Sequence, residues 1–211
     1  MDVATIRKEY SLKELDVSQV ADDPITQFKK WFREVLAAEV PEPNAMNVAT
    51  VSNDGHPTSR ILLLKGIEDE GFVFYTNYLS RKGNELSNNP NVCLNFFWAE
   101  LERQVRIEGK AEKVTSDTSD VYFNSRPRGS QIGAHVSPQS QKLENREVLI
   151  EKEKALVKEF ADRDVPRPQH WGGYHVTPTL VEFWQGRPSR LHDRVVYIWN
   201  DRQWEISRLA P

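Results

Sequence analysis

The chain has 211 residues, of which 28% are charged, and its formal net charge at pH 7 is -3. This length predicts one folded domain at residues 23–211 after an N-terminal segment at 1–22, and the charge argues against a nucleic-acid binder with a strongly basic surface. Neither an apolar leader nor a run of about 18 apolar residues is present, and Cys93 is the sole cysteine, so we expect a cytoplasmic protein without a membrane span.

The first third of the chain predicts a helix followed by strands. Asp23 and Pro24 are typical of a helix start, and the apolar residues that follow recur on one helical face to about residue 39. Residues 45–52 predict a strand, and the turn signal at 53–55 leads into a second strand through 61–65. Further strands are predicted at 71–76 and 91–98, with a short helix between them that Ser80 caps.

The remainder predicts more strands with helices between them. Residues 104–108 alternate between apolar and polar, and a helix is predicted at 116–125. The stretch at 126–141 is rich in Gly, Pro and Ser and predicts an irregular functional loop, whereas 143–160 predicts a helix. The predictions end with a turn at Gly172-Gly173 and strands at 173–183, 191–199 and 203–208. This order indicates an α+β domain built around an antiparallel barrel or sandwich.

The segment at 181–194 concentrates cations beside aromatic side chains. Trp184 ends a predicted strand, and an irregular turn follows. If the chain is extended from Leu191, then Arg190, His192 and Arg194 leave one face of the strand, which would suit a planar anionic ligand. The alternative is a solvated strand edge kept charged against aggregation.

Two other segments offer anion sites. Arg60 and Lys65 bracket a strand whose middle is fully apolar, which predicts a core strand with cations at its ends. Tyr75 and Thr76 end a strand just before the helix start at 80–83, where hydroxyls, cations and free N–H groups can meet a phosphate. Ordinary strand-end charges and an empty helix start are the alternatives.

A third candidate site has residues spaced by four. Tyr122, Arg126 and Ser130 would share one face of a helix and could surround a phosphomonoester, although Arg126 could equally just compensate a helix dipole. The histidines show no metal-ligand spacing, and neither a phosphate-binding P-loop nor a G-x-S-x-G motif occurs. We therefore expect no metal site.

These segments together resemble one known family. They contain the strings RKEY, SRILLLK, YTN, SRK, ERQVR, YFNSRPRGSQIGA, VSPQSQ, EFWQ and RLHDR, which are spread along essentially the whole chain and follow the order of the family's motifs. They are similar to motifs of the pyridoxine (pyridoxamine) 5′-phosphate oxidases, FMN enzymes that make pyridoxal 5′-phosphate. The resemblance implies a split β-barrel of mainly antiparallel strands with flanking helices, and a homodimer with FMN at the subunit interface.

The resemblance also implies roles for individual residues. The implied FMN contacts are Arg60, Ile61, Leu62, Leu63, Leu64, Lys65, Tyr75, Thr76, Arg81, Lys82, Gln104, Gln139, Ser140, Trp184 and Arg194. The implied substrate contacts are Arg7, Lys8, Glu9, Tyr10, Lys65, Tyr122, Arg126, Ser130, Arg190, Leu191 and His192, with Arg190 and His192 as the catalytic pair. The N-terminal segment would act as a lid over the substrate.

The implied reaction takes two electrons from C4′ of pyridoxine 5′-phosphate or pyridoxamine 5′-phosphate to FMN and then to O2, which gives H2O2, and ammonia from the amine. Two rivals remain: a split-barrel flavoprotein that reduces a different substrate, and a B6-phosphate carrier without turnover.

Overall fold

The computed structural model describes residues 2–68 and 70–211. The strands in these ranges are β1 Ala45–Val51, β2 Pro57–Leu63, β3 Gly66–Glu68, β4 Gly71–Asn77, β5 Asn91–Trp98, β6 Arg103–Lys113, β7 Trp171–Gln185, β8 Asp193–Asn200 and β9 Gln203–Leu209. The α-helices are α1 Pro24–Ala37, α2 Arg81–Asn88, α3 Ser116–Ser125, α4 Arg128–Val136 and α5 Glu147–Glu159. Short 3-10 turns lie at Val17–Gln19, Ala99–Leu101 and Pro188–Arg190.

The strands form one antiparallel sheet that curls into a split barrel. Its order is β2-β1-β5-β6-β7-β4-β3, and β8 and β9 continue from β7. The long strand β7 pairs with β6 along its length, but its other edge pairs with β4 at residues 171–176 and with β8 at 180–185. The sheet therefore divides at β7, which confirms the expected α+β split-barrel class.

Helix α1 closes the core of the barrel. Asp23 caps it by accepting a hydrogen bond from the backbone N–H of Thr26 at 2.8 Å, and Pro24 occupies its first turn. The ring of Phe28 is fully buried and packs on Phe72 and Phe96, with ring centroids 4.9 and 5.1 Å away. The helix start was thus predictable from the sequence.

The prediction of an irregular loop at 126–141 is wrong for residues 128–136, which form α4. Pro127 gives the chain the fixed φ that suits a helix start. Ile132 and Val136 then bury their side chains in a second apolar cluster with Phe123, Phe160 and Trp171. This tertiary burial outweighs the low helix propensity of the two glycines in α4.

Several element bounds also differ from the prediction. Helix α5 begins at Glu147, four residues after its predicted start, and residues 64–65 lie outside β2. Strand β2 is at the edge of the sheet, and Ile61 and Leu63 are 65% and 38% exposed, so it is not the predicted core strand. None of the helices in the described ranges is long and apolar enough to cross a membrane.

The predicted turn at Gly172-Gly173 is wrong, because both residues belong to β7. A Cβ on Gly172 would lie 2.2 Å from the hydroxyl oxygen of Tyr78, and one on Gly173 would lie 2.8 Å from the ring of Tyr75. These glycines therefore let tyrosine rings approach the strand backbone, a use of glycine that the sequence pattern does not distinguish from a turn.

Candidate active site

A buried lysine marks the first anion site, at the start of α2. The Nζ atom of Lys82 donates to Gln139 Oε1 at 2.8 Å, Thr76 Oγ1 at 3.1 Å and Ser80 Oγ at 3.2 Å. Burial, together with the charge of Arg60, lowers the pKa of Lys82 to about 8, against the attraction of Glu85. Among the described residues, no carboxylate lies within ion-pair distance of this ammonium group, which instead donates to neutral oxygens.

An arginine pair shares one carboxylate beside Lys82. Glu85 accepts hydrogen bonds from Thr50 at 2.5 Å and from Thr58 at 2.7 Å, and its carboxylate oxygens lie 2.9 Å from Arg81 Nε and 3.4 Å from Arg60 Nη2. Burial alone would raise the pKa of Glu85, but these donors lower it to about 2. Glu85 thus fixes the two guanidinium groups. A cleft of about 500 Å³ opens there, lined by Arg81, Gln139 and Ser140 among others.

A stack of aromatic rings lies next to this cleft. Tyr75 and Tyr122 stack with ring centroids 3.8 Å apart, and Trp171 lies parallel to Tyr75 at 5.5 Å. The guanidinium of Arg126 lies 4.5 Å from the centre of the Trp171 ring. Its Nη1 atom is buried and has no hydrogen-bond partner among the described residues, and burial lowers the pKa of the group. A guanidinium with such a free donor suits an anionic ligand.

The predicted common helix face for Tyr122, Arg126 and Ser130 is wrong. Helix α3 ends at Ser125, and Arg126 has an extended backbone with φ -75° and ψ 149° because it precedes Pro127. Arg126 and Ser130 nevertheless line one cleft of about 230 Å³ with Gln139 and Trp171. We call the residues around the start of β7 the first half-site: Tyr75, Thr76, Arg81, Lys82, Tyr122, Arg126, Ser130, Gln139 and Trp171.

A second cluster lies at the other end of β7. The imidazole of His192 packs on Trp184 with ring centroids 4.6 Å apart, and Tyr10 meets Trp184 edge-on at 5.7 Å. The backbone N–H of Arg187 donates to His192 Nδ1 at 3.1 Å, so Nε2 carries the proton of the neutral ring. Burial and the charge of Arg190 lower the pKa of His192, which favours that neutral form.

The predicted alternation of Arg190, His192 and Arg194 on one strand is wrong. Strand β8 begins only at Asp193, and Arg190 belongs to a turn with φ +61°. His192 and Arg190 line a cleft of about 460 Å³ together with Arg7, Lys8, Glu9 and Tyr10 of the N-terminal segment. Leu191 is 69% exposed and does not line this cleft.

Three predicted FMN contacts form a row on the outer face of the sheet. Gln104, Trp184 and Arg194 are direct partners across β6, β7 and β8, while the intervening core side chains are fully buried. Arg194 donates to both carboxylate oxygens of Glu182 at 2.8 and 3.0 Å, which holds its guanidinium in place. The second half-site consists of Tyr10, Gln104, Trp184, Arg190, His192 and Arg194.

The two half-sites lie at opposite ends of β7. Trp171 belongs to the first and Trp184 to the second, and none of the clefts described above is lined by residues of both half-sites. The structure therefore brings together the predicted residues within each half-site but not across the two. Lys65 joins neither, because it lines a separate cleft with Phe32, Leu36 and Ile67.

Sequence reasoning missed four residues that hold these half-sites: Glu85, Glu102, Trp171 and Glu182. The acidic residues are buried at 6%, 3% and 2% exposure, and each holds a cation or backbone N–H groups near a predicted ligand contact. A Glu followed by two aromatic residues in a strand hinted at Glu182, but nothing local indicated Glu85 or Glu102. Among the described residues, no group of three or more His, Cys, Asp or Glu could hold a metal ion.

Comparison with known proteins gives a consistent result. Residues 32–153 match a family described as "Pyridoxamine 5'-phosphate oxidase", and residues 171–211 match one described as "Pyridoxine 5'-phosphate oxidase C-terminal dimerisation region". A pyridoxine/pyridoxamine 5′-phosphate oxidase from Burkholderia vietnamiensis is 54% identical, over 99% of this chain and 99% of its own. The one from Acaryochloris marina is 52% identical, over 99% and 95%.

Solved structures agree on the fold. PhzG from Burkholderia lata 383, in complex with tetrahydrophenazine-1-carboxylic acid, matches with a TM-score of 0.90 and 30% identity, covering 95% of this chain and 100% of its own. A pyridoxamine 5′-phosphate oxidase-related, FMN-binding protein from Nostoc punctiforme matches with a TM-score of 0.71 and 16% identity, covering 90% and 98%.

Proposed function

This chain belongs to the pyridoxamine 5′-phosphate oxidase family of oxidoreductases, and on that premise we propose that it is an FMN-dependent oxidase of vitamin B6 metabolism. Its substrates are pyridoxine 5′-phosphate and pyridoxamine 5′-phosphate, and its product is pyridoxal 5′-phosphate. O2 is the electron acceptor and leaves as H2O2, while the amine substrate also releases ammonia.

The first half-site fits the FMN phosphate. Lys82 is buried among Thr76, Ser80 and Gln139 without a carboxylate partner in the described chain, and Arg81 and Arg60 are fixed beside it by Glu85. A phosphate would supply the missing negative charge and accept from the N–H groups that open α2. FMN, when bound, supplies the acceptor for two electrons.

The substrate contacts follow from the same two clusters. Arg126, with an unpartnered buried Nη1 atom, would bind the substrate phosphate together with Tyr122 and Ser130. Arg190 and the Nε2–H group of His192 would lie against the pyridine ring, where they orient C4′ and balance the charge that develops there. Lys65 and Leu191, two further predicted substrate contacts, line neither of the two substrate clefts.

One complete site needs two chains. The half-sites lie at opposite ends of β7, and none of the clefts described above is lined by residues of both, so we place the ligand pair between two copies. The match of residues 171–211 to a dimerisation region supports a homodimer in which the start of β7 from one copy meets the end of β7 from the other. FMN would then lie at the subunit interface.

The observation that carries the proposal is full-length identity of 52–54% to pyridoxine/pyridoxamine 5′-phosphate oxidases, and the cations that cluster in both half-sites support it. The test is oxygen uptake by the FMN-loaded protein with each vitamer, with H2O2, aldehyde and ammonia measured in the same sample. We expect equal amounts of aldehyde and H2O2 from both substrates, and ammonia from the amine alone.

Other outcomes would identify the rivals. Vitamer binding without oxygen uptake would indicate a carrier. Oxidation of tetrahydrophenazine-1-carboxylic acid, with neither vitamer consumed, would indicate a different split-barrel flavoenzyme, such as the PhzG relative at 30% identity.

A further inference from the structure

Glu102 is a buried carboxylate in the turn between β5 and β6, and it serves the N-terminal segment. Its Oε2 atom accepts hydrogen bonds from the backbone N–H groups of Ser11 at 2.8 Å and Leu12 at 3.1 Å, and Lys8 Nζ lies 3.7 Å from Oε1. The residue is only 3% exposed. Among the described residues, every donor to this carboxylate therefore comes from residues 8–12.

The backbone of Glu102 is held in an unfavourable conformation. Its φ is +54°, in the left-handed region that costs a residue with a Cβ about 1 kcal/mol or more. Its carbonyl oxygen accepts from the N–H of Gly186 at 2.7 Å and from Gln185 Nε2 at 3.2 Å. These bonds tie the turn to the end of β7, next to Trp184, and they aim the carboxylate at the N-terminal segment.

Gly186 completes the contact because it leaves room for Tyr10. A Cβ at Gly186 would lie 2.7 Å from the Tyr10 ring, closer than carbon atoms approach. With that space free, Tyr10 packs on both Trp184 and His192, at centroid distances of 5.7 and 5.9 Å. The tyrosine next in sequence to the Glu102 anchor thus covers the second half-site.

We propose that Glu102 is a positioning residue that holds residues 8–12 across the substrate cleft, so that Tyr10 lies against Trp184 and His192. The expected effect on substrate kinetics rests on the proposed function, whereas the anchoring of residues 8–12 by Glu102 does not. Two of the three contacts with Glu102 use backbone N–H groups. The anchoring therefore depends mainly on the backbone conformation of residues 8–12 and less on their side chains. Without residues 8–12 the buried Glu102 carboxylate would lack hydrogen-bond donors in the described chain, so its burial depends on the N-terminal segment.

Two variants remove the anchor in different ways. Glu102→Gln keeps the shape and removes the charge, whereas Glu102→Gly removes the side chain and suits the positive φ, so the turn keeps its fold. Glu100→Gln is the matched control, because Glu100 is an exposed acid in the same turn without a partner in the described chain. The first readout is the initial rate of trypsin cleavage after Arg7, Lys8 and Lys13, which needs no activity.

We expect cleavage about tenfold faster in both Glu102 variants and unchanged in the control, since a charge-assisted hydrogen bond is lost. With pyridoxine 5′-phosphate, KM should rise about tenfold while kcat and FMN affinity change little. Combining Glu102→Gly with Tyr10→Ala should add nothing to the KM of Tyr10→Ala alone.

Unchanged cleavage in both Glu102 variants would overturn the anchor, whatever the activity. Additive effects of Glu102→Gly and Tyr10→Ala, or equal losses of FMN and substrate binding, would show a structural role instead. If the native protein oxidises neither vitamer, the proposed function fails, and the cleavage rates still decide the anchor.

Discussion

Replacing Lys82 with Met should separate FMN affinity from stability. In the folded apoprotein the pKa of Lys82 is about 8, against an ordinary 10.5. Its ammonium group therefore destabilises the fold by about 3 kcal/mol below pH 8, and this cost disappears as the pH rises toward 10.5. Lys82→Met removes both this cost and a charge-assisted phosphate bond worth about 1.5–3 kcal/mol. We expect FMN to bind about 10- to 150-fold more weakly, with no loss of stability at pH 7.

FMN affinity is measured by titrating the apoprotein with FMN and recording the quenching of flavin fluorescence. The free energy of unfolding of the same samples is measured by urea denaturation. Lys110→Met is the control, because Lys110 is exposed on β6 and has no partner in the described ranges. FMN affinity of the native apoprotein should also fall as the pH rises above about 8, since the ammonium loses its proton. Equal FMN affinity in Lys82→Met and Lys110→Met would refute the phosphate site.

The remaining predictions concern the substrate contacts. Arg190→Ala and His192→Ala should lower kcat while FMN stays bound, and loss of FMN from either would contradict the assignment to substrate. Arg126→Ala should chiefly raise the KM for pyridoxine 5′-phosphate, by about 10- to 150-fold for one lost charge-assisted bond, and an unchanged KM would exclude a phosphate contact. Gly186→Ala should raise the KM for pyridoxine 5′-phosphate, because the added Cβ displaces Tyr10. FMN affinity, measured on the same variant, should not change.

The sequence predicted most strands and helices because their signals are local. The cap at Asp23, the turn at 53–55 and the alternation in β6 each depend on neighbouring residues. The failures have a shared cause, which is burial decided by distant parts of the chain. Helix α4 forms because Ile132 and Val136 pack on Trp171, about 40 residues away.

The site was predictable in composition but not in arrangement. The resemblance named the cations, yet the spacing of Arg190, His192 and Arg194 suggested one strand face that a turn with positive φ interrupts. Two buried carboxylates fix cations that come from other strands: Glu85 pairs with Arg60 of β2, and Glu182 pairs with Arg106 of β6 and Arg194 of β8, so these pairings could not be inferred from neighbouring residues. The proposed division of the site between two chains could not be inferred before β7 was seen to be a single long strand.

Active-site complementation tests the shared site most directly. Arg126→Ala damages the first half-site and Arg190→Ala the second, and the two chains can be coexpressed with different tags and purified as a mixed dimer. If each site takes one half from each chain, one of the two sites in the mixed dimer is intact. At a substrate concentration near the native KM, where both parents are slow, the rate should then be about half that of the native dimer. A mixed dimer as slow as its two parents under these conditions would contradict the account.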